Sequence, residues 1–398
     1  MSIGVNDTAI AATILLENAA LRAWDVVVAG AGPAGSLVAR ALAAEGATVL
    51  LVDKSAFPRE KVCGSCLNGA ALAALGVAGL ADLPQRLGAF KLRNMRLRAG
   101  RHEANLALAG GASLSRRALD AALVHAAIES GAAFLPSTDA TLEPMVGEFR
   151  EARLRCAGQG VKLKTRIAIA ADGLSGSFLK ETSGMEPIVA PDAPLGAGAL
   201  VEGSNKYYEP GTIYMACARD GYVGVVRLED GRLDVASAMA PNRMRASGGV
   251  AAAVGEILQA AGFPGLPTKA QFRGTLPLSR RRPRVAAEGL FVLGDAAAYL
   301  EPFTGEGIAW AMQQALLLAP IAKEAILGFS PRHAELWQLQ FERFFRQRWV
   351  CRTAVWMRRH FDLGTLVVAL LSRFPSLASP LVRALNRPYS GIRLRRAR

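Results

Sequence analysis

Histidine is scarce in this 398-residue chain, with four copies at positions 102, 125, 333 and 360. Their spacing suits no metal, and only one cysteine pair is close in sequence, so the four ligands of a structural zinc site are not assembled. Cysteine is sparse and odd in number (63, 66, 156, 217 and 351), which argues against a disulfide framework and for a reducing compartment. No uninterrupted apolar run reaches the roughly 18 residues of a spanning helix. The early apolar stretch from Ala9 to Leu16 stops at Glu17, and the residues before it lack the basic segment of a secretory signal. The expected location is cytoplasmic, either free or peripheral at the inner face of the membrane.

Lysine is missing from residues 341–398, which hold thirteen arginines against Glu342 and Asp362. Most of the chain's net charge of +14 therefore sits in its last part. Blocks of this kind seek anionic partners. Aromatic residues are not interleaved with the arginines as a base-stacking platform requires, so nucleic acid is excluded. The segments 366–375 and 377–385 mix apolar faces with arginine, and Pro375 and Pro380 break them into pieces too short to span a bilayer. Two readings stay open: a helical cap with its arginines in water, or a basic amphipathic surface lying on an anionic membrane.

What is present is a nucleotide-binding pattern. Asp25-Val-Val-Val-Ala29 and Thr48-Val-Leu-Leu-Val52 read as buried strands, with a helix over 36–45 between them. Residues 1–22 read as a short helical extension, and further helices are expected over 69–75 and 115–130. From about 196 to 240 the sequence alternates, and Asp230-Gly231 between two such runs signals a hairpin. Leu290-Phe-Val-Leu293 returns to the buried type and leads to a long helix from about Gly307. The expected fold is α/β: a discontinuous Rossmann-like domain (22–85, 111–185 and 275–330), an inserted antiparallel sheet domain (86–110 and 186–274) and a basic helical region (331–398).

Gly30-Ala-Gly32-Pro-Ala34-Gly35 joins the first strand to the first helix. Its glycines permit a tight turn, approach of a pyrophosphate to the backbone, and close helix–strand packing, with the helix N-terminus facing the phosphates. Asp53 closes the second strand, where an acid can accept from a ribose; Lys54 follows it. A second junction, Gly294-Asp295 through Pro302-Phe-Thr-Gly305-Glu306-Gly307-Ile308, again lies between a strand and a helix.

With this second motif the chain resembles the FAD-dependent oxidoreductases of the p-hydroxybenzoate-hydroxylase fold, and within them the geranylgeranyl-reductase-like branch. The resemblance implies FAD as cofactor. It assigns Asp295 to the ribityl hydroxyls and the turn of Pro302, Gly305, Glu306, Gly307 and Ile308 to the isoalloxazine, with the helix end opposite the edge that becomes negative on reduction. Ser115-Arg116-Arg117-Ala-Leu119-Asp120 resembles the segment whose arginine supports the phosphates, and Ala171-Asp172-Gly173 resembles the motif between the flavin and pyridine-nucleotide regions. Lys61-Val-Cys63-Gly64 resembles a loop that lines the isoalloxazine, so the C-x-x-C spacing of Cys63 and Cys66 is expected to be incidental. A redox dithiol is the rival reading.

The family implies either hydride transfer or oxygen activation. The sequence lacks the Trp-x-Trp-x-Ile-Pro mark of the halogenases, and the strand Gly221–Arg227 lacks the Trp and Pro of the reductases' Tyr-x-Trp-x-Phe-Pro. The expectation is a monooxygenase using NAD(P)H and molecular oxygen to hydroxylate or epoxidise a small lipophilic or aromatic secondary metabolite. A geranylgeranyl-reductase-like C=C reductase is the alternative, and a flavin-binding protein without turnover is the alternative of another class. Cys63 and Gly64 are expected on one flank of the ring, and Tyr222 and Arg227 facing the substrate. No second G-x-G-x-x-G occurs, so nicotinamide binds transiently or a partner reductase serves.

Overall fold

The computed structural model describes residues 8–202, 206–267, 270–301 and 303–389. The strand Trp24–Ala29 lies at the centre of an eight-stranded sheet, buried along almost its whole length. Val49–Val52 pairs parallel with it on one side and Gln159–Ala170 on the other; Ala133–Leu135 and Leu290–Val292 extend the parallel set outward. Continuous apolar runs such as Val49-Leu-Leu-Val52 suit strands covered on both faces. The helix Pro33–Ala44 covers one face, with Pro33 in its first turn, where a missing N–H costs nothing.

The strand Gln159–Ala170 changes character along its length. Its first half is an exposed ribbon paired antiparallel with Phe149–Cys156, which in turn pairs with Asp139–Val146. Its last four residues are buried in the core. The expected N-terminal helix is confined to Leu16–Ala20. Before it the chain is irregular and bonded to neighbouring segments: Ile10 N–H donates to Phe57 O (2.9 Å) and Thr13 N–H to Phe134 O (3.0 Å). Phe134 N–H donates in turn to the Thr13 hydroxyl. These bonds to neighbouring segments outweigh local helix propensity, which is weak for Thr and Ile.

The second sheet has seven strands in the order Arg273–Pro277, Leu195–Val201, Leu233–Met239, Gly221–Arg227, Thr212–Ala218, Asn94–Ala99, His102–Ala107. All neighbours are antiparallel except Asn94–Ala99 beside Thr212–Ala218. The Asp230-Gly231 turn joins the strands of an antiparallel pair, with Gly231 at φ +88°. One face packs Val223, Val225 and Val235 on Val254, Ile257 and Leu258 of the helix Val250–Ala260. The other carries Met215, Tyr222 and Val226.

The C-terminal helices close the molecule. Gly307–Leu327 and Pro331–Arg346 lie on the first sheet, where Trp337 Nε1 donates to Val292 O (3.0 Å). The helix Phe361–Arg373 and the segment after it cover the outer strands of the second sheet, Val368 and Ala378 packing with Ala99, Ala104 and Leu106. The tail is pinned back by Asn386, whose side-chain oxygen accepts from Gly69 N–H (2.6 Å). Among the described residues no helix is long and apolar enough to cross a membrane.

Candidate functional site

One cavity of about 700 Å³ runs from the Gly30–Gly35 turn, past the Lys61–Cys66 loop, to the C-terminal helices. At its first end the backbone has no room for side chains. Gly30 sits at φ +101°, and a Cβ there would stand 2.4 Å from Ala171 O. At Gly35 a Cβ would stand 1.8 Å from Gly30 O. Gly32 is different: its missing Cβ leaves open space, bounded at 3.5 Å by Arg59 Nη2 and at 3.8 Å by Arg116 Nη2. Two guanidinium groups over an open glycine at a helix N-terminus fit a pyrophosphate in charge and in shape.

Both arginines belong to a buried charge network. Asp120 Oδ1 and Oδ2 accept from Arg116 Nε (2.9 Å) and Nη2 (2.7 Å), and Arg59 Nη2 stands 3.1 Å from Oδ2. Asp120 is fully buried and Arg116 nearly so. Burial alone would raise the Asp120 carboxyl, but Arg116 and then Arg59 hold it below the usual carboxylate range. Asp53 accepts from Ala31 N–H (2.8 Å) and Ser55 N–H (2.9 Å), so its carboxylate braces the glycine turn. Lys54 lines the cavity beside it.

At the middle of the cavity three separate segments converge. Lys61 Nζ is 3.9 Å from Asp295 Oδ2, and it would be 3.2 Å from a Cβ at Gly173. Burial, then Arg116, lower the Lys61 pKa. Cys63, Gly64, Gly305, Gly307 and Ile308 line the same space, with Cys63 beside the Arg116 guanidinium. Gly294 N–H donates to the buried Gln314 side chain (2.9 Å), fixing the turn before Asp295. Ala34 packs against Gly294, 3.1 Å from where a Cβ would be.

Cys63 and Cys66 are both free thiols. Burial, then Asp234 and Cys63, push the Cys66 thiol far up, which keeps it protonated. A thiolate attack by Cys66 is therefore disfavoured. Asp172 lines the cavity, yet its Oδ2 accepts from Phe178 N–H (2.9 Å) and Ser177 Oγ (3.4 Å), which ties it to the turn that follows. Glu306 is buried; its carboxylate accepts from the Thr304 hydroxyl (3.0 Å) and the Cys351 thiol, and burial raises its pKa. Pro302 lies outside the described residues.

Of the two substrate-side candidates, the structure brings Tyr222 to the cavity and not Arg227. Tyr222 packs edge-on against Phe303 (5.2 Å between ring centres). Arg227 points away: its guanidinium donates to Tyr208 O and Gly231 O, both at 2.8 Å. Strand alternation explains this, since Tyr222, Gly224 and Val226 share the cavity face.

Sequence reasoning missed Arg59, whose role depends on a fold that returns it over Gly32. It also missed Asp234, a buried carboxyl behind the loop. Asp234 stands beside the Ser65 side chain, and burial pushes its carboxyl up to about 7. Ser65 stands at φ +47°, so Asp234 backs a strained loop residue next to Gly64. The far end of the cavity was missed as well. It is walled by Leu97, Leu106 and Met215 of the second sheet and Val367, Leu371 and Val382 of the tail.

A dinucleotide cradle that opens into an apolar chamber defines a nucleotide-dependent oxidoreductase. Residues 23–328 match the family described as FAD binding domain, and the chain belongs to that family. It is an FAD-dependent oxidoreductase. It is similar to the digeranylgeranylglycerophospholipid reductase of Methanoculleus marisnigri, 28% identical over 327 residues, covering 76% of this chain and 77% of the relative. It is 27% identical over 322 residues to the menaquinone reductase of Mycobacterium tuberculosis, covering 75% and 76%. Among solved structures, a geranylgeranyl bacteriochlorophyll reductase-like protein of Thermoplasma acidophilum shares the fold. Its TM-score is 0.74 at 22% identity, covering 93% of this chain and 98% of the other.

Proposed function

We propose that this enzyme reduces an isolated C=C bond of a lipophilic, isoprenoid-class substrate. The observation that carries the reading is the long apolar chamber that meets the Lys61–Cys66 loop and the Gly305–Gly307 turn. The relatives named digeranylgeranylglycerophospholipid reductase and menaquinone reductase support it. Bound FAD, once reduced, supplies the hydride. Gly32, Arg59 and Arg116 would hold its pyrophosphate, Asp53 the ribose end, and Asp295 with Lys61 the ribityl region. The first turn of the helix Gly307–Leu327 presents free N–H groups where negative charge is stabilised. Gly64 keeps the wall of the chamber flat. Cys63 Sγ and Tyr222 Oη hold exchangeable protons at that wall, as saturation of a C=C bond by hydride and proton requires.

The chamber's aliphatic walls suit an apolar chain. The exposed side of the tail carries Leu366, Leu370, Phe374 and Leu377 together with Arg373 and Arg383. An apolar strip flanked by arginine suits contact with an anionic membrane, from which such a substrate would enter. Reducing equivalents would come from NAD(P)H docking transiently, since the sequence has one G-x-G-x-x-G.

A second reading, monooxygenation with molecular oxygen as co-substrate, is favoured by one feature: the strand Gly221–Arg227 carries neither the Trp nor the Pro of the reductase motif. Turnover of a geranylgeranyl-chain lipid under isotope-labelled oxygen separates the two. The expected product gains two hydrogens per double bond and no label. A labelled hydroxyl or epoxide would replace the first reading by the second.

A further inference from the structure

Arg348 precedes the helix Trp349–Arg359 and is buried (3% exposed). Its guanidinium lies 3.7 Å over the ring of Trp310, with Phe344 and Phe345 at 5.0 and 5.2 Å. None of its three side-chain nitrogens has a hydrogen-bond partner among the described residues. Glu306, Cys351 and Asp295 are the groups near enough to act on it electrostatically, and Glu306 is already occupied by Cys351 and Thr304. A buried cation left this way is costly unless something negative completes the site.

The position of Arg348 indicates what that is. It lines a cleft of about 10 Å³, room for a single water, with Gly294, Asp295, Tyr299, Gly307 and Trp310. Asp295, Tyr299 and Gly307 also line the large cavity, so the cleft adjoins the part assigned to the flavin ring. The helix whose N-terminus faces that ring begins at Gly307, and Trp310, beneath the guanidinium, is in its first turn. The dipole of this helix and the charge of Arg348 therefore act at the same place and with the same sign.

We propose that Arg348 supplies the counter-charge for reduced, anionic FAD and thereby raises the reduction potential of the bound cofactor. The proposal rests on the reading of the cavity as a flavin site. It makes the C-terminal region part of the redox machinery, because Arg348 comes from beyond residue 328, outside the segment that matches the family. Arg348 is a positioning residue for charge and need not touch the substrate. Its neighbour Glu306 opposes it, and burial of Glu306, which raises that carboxyl's pKa, lessens the opposition.

The test is an anaerobic titration of the FAD-loaded enzyme against a reference dye. Arg348→Met is expected to lower the equilibrium constant for two-electron reduction about tenfold, a fall of ~30 mV in potential, while Arg348→Lys recovers most of it. An unchanged potential in Arg348→Met overturns the proposal. A second measurement needs no variant. The fully reduced wild-type protein is expected to show the anionic flavin spectrum at pH 7, and a neutral reduced flavin there overturns the proposal equally. A folded preparation that takes up no FAD contradicts the flavin reading beneath it.

Discussion

At one end of the cavity Asp53, Arg59, Arg116 and Asp120 form a nearly dry charge network around a glycine turn. At the other end, Leu97, Leu106, Met215, Val368 and Leu371 offer only aliphatic surface. The first end depends on position: each charge has a fixed partner, and the backbone admits no side chain at Gly30 or Gly35. The second depends on volume and shape, which several sequences can supply. On the proposed reading, recognition of a constant cofactor falls to rigid electrostatics and recognition of a lipophilic substrate to adaptable packing. The two ends should respond differently to substitution.

The largest effect is expected at the charged end. Asp120→Asn leaves the Arg116 guanidinium buried without its carboxylate and should cost about 3–5 kcal/mol in denaturant unfolding. The same residue sets a pH signature. Because the Asp120 pKa is lowered in the folded protein, its contribution is present above the unfolded carboxylate value of about 3.9. It is lost as pH falls through the lower native value. Melting temperature should therefore decline on acidification in the wild type and decline less steeply in Asp120→Asn; identical pH profiles would contradict the network.

A matched pair of substitutions sharpens the contrast. A Cβ at Gly32 clears the nearest protein atoms by 3.5 Å, so Gly32→Ala should fold normally. It should nevertheless weaken FAD about tenfold, roughly 1.4 kcal/mol, by crowding the phosphates. At the other end Gly224 faces Met215, 3.5 Å from a Cβ position. Gly224→Leu should leave FAD affinity unchanged and raise KM for a long-chain substrate about tenfold. Equal losses of FAD in both variants, read by fluorescence titration, would remove the division between the two ends.

The smallest effect is expected on the outer face of the tail. Replacing Leu366, Leu370 and Phe374 by Ser should change stability by less than about 0.5 kcal/mol per site, since all three are exposed. Co-sedimentation with vesicles of anionic phospholipid should fall severalfold. Undiminished vesicle binding would leave the strip without a membrane role.

The same division explains what could be read from the sequence. The turn at 30–35, the Gly294-Asp295 junction and the hairpin at Asp230-Gly231 were legible because each depends on residue types with a single backbone use. Strands such as Val49–Val52 were legible as continuous apolar runs. Arg59 was not legible, because its partners Asp53 and Asp120 are brought to it by the fold. The outward turn of Arg227 follows from strand alternation, which a single residue does not reveal. The ribbon Phe149–Cys156 is held by pairing with neighbours on both sides rather than by a local signal. The non-helical path of residues 9–14 was settled by hydrogen bonds to Phe57 and Phe134. The apolar wall drew residues from both sheet and tail, and no short motif announces such a surface.

On the proposed reading, reduced FAD passes its electrons directly to a lipophilic chain held in the apolar chamber. The most direct measurement is anaerobic stopped-flow mixing of the FAD-loaded, pre-reduced enzyme with a geranylgeranyl-chain lipid, following the oxidised flavin band. The band is expected to return without oxygen, at a rate that rises with lipid concentration. A flavin that stays bleached until oxygen is admitted would contradict it.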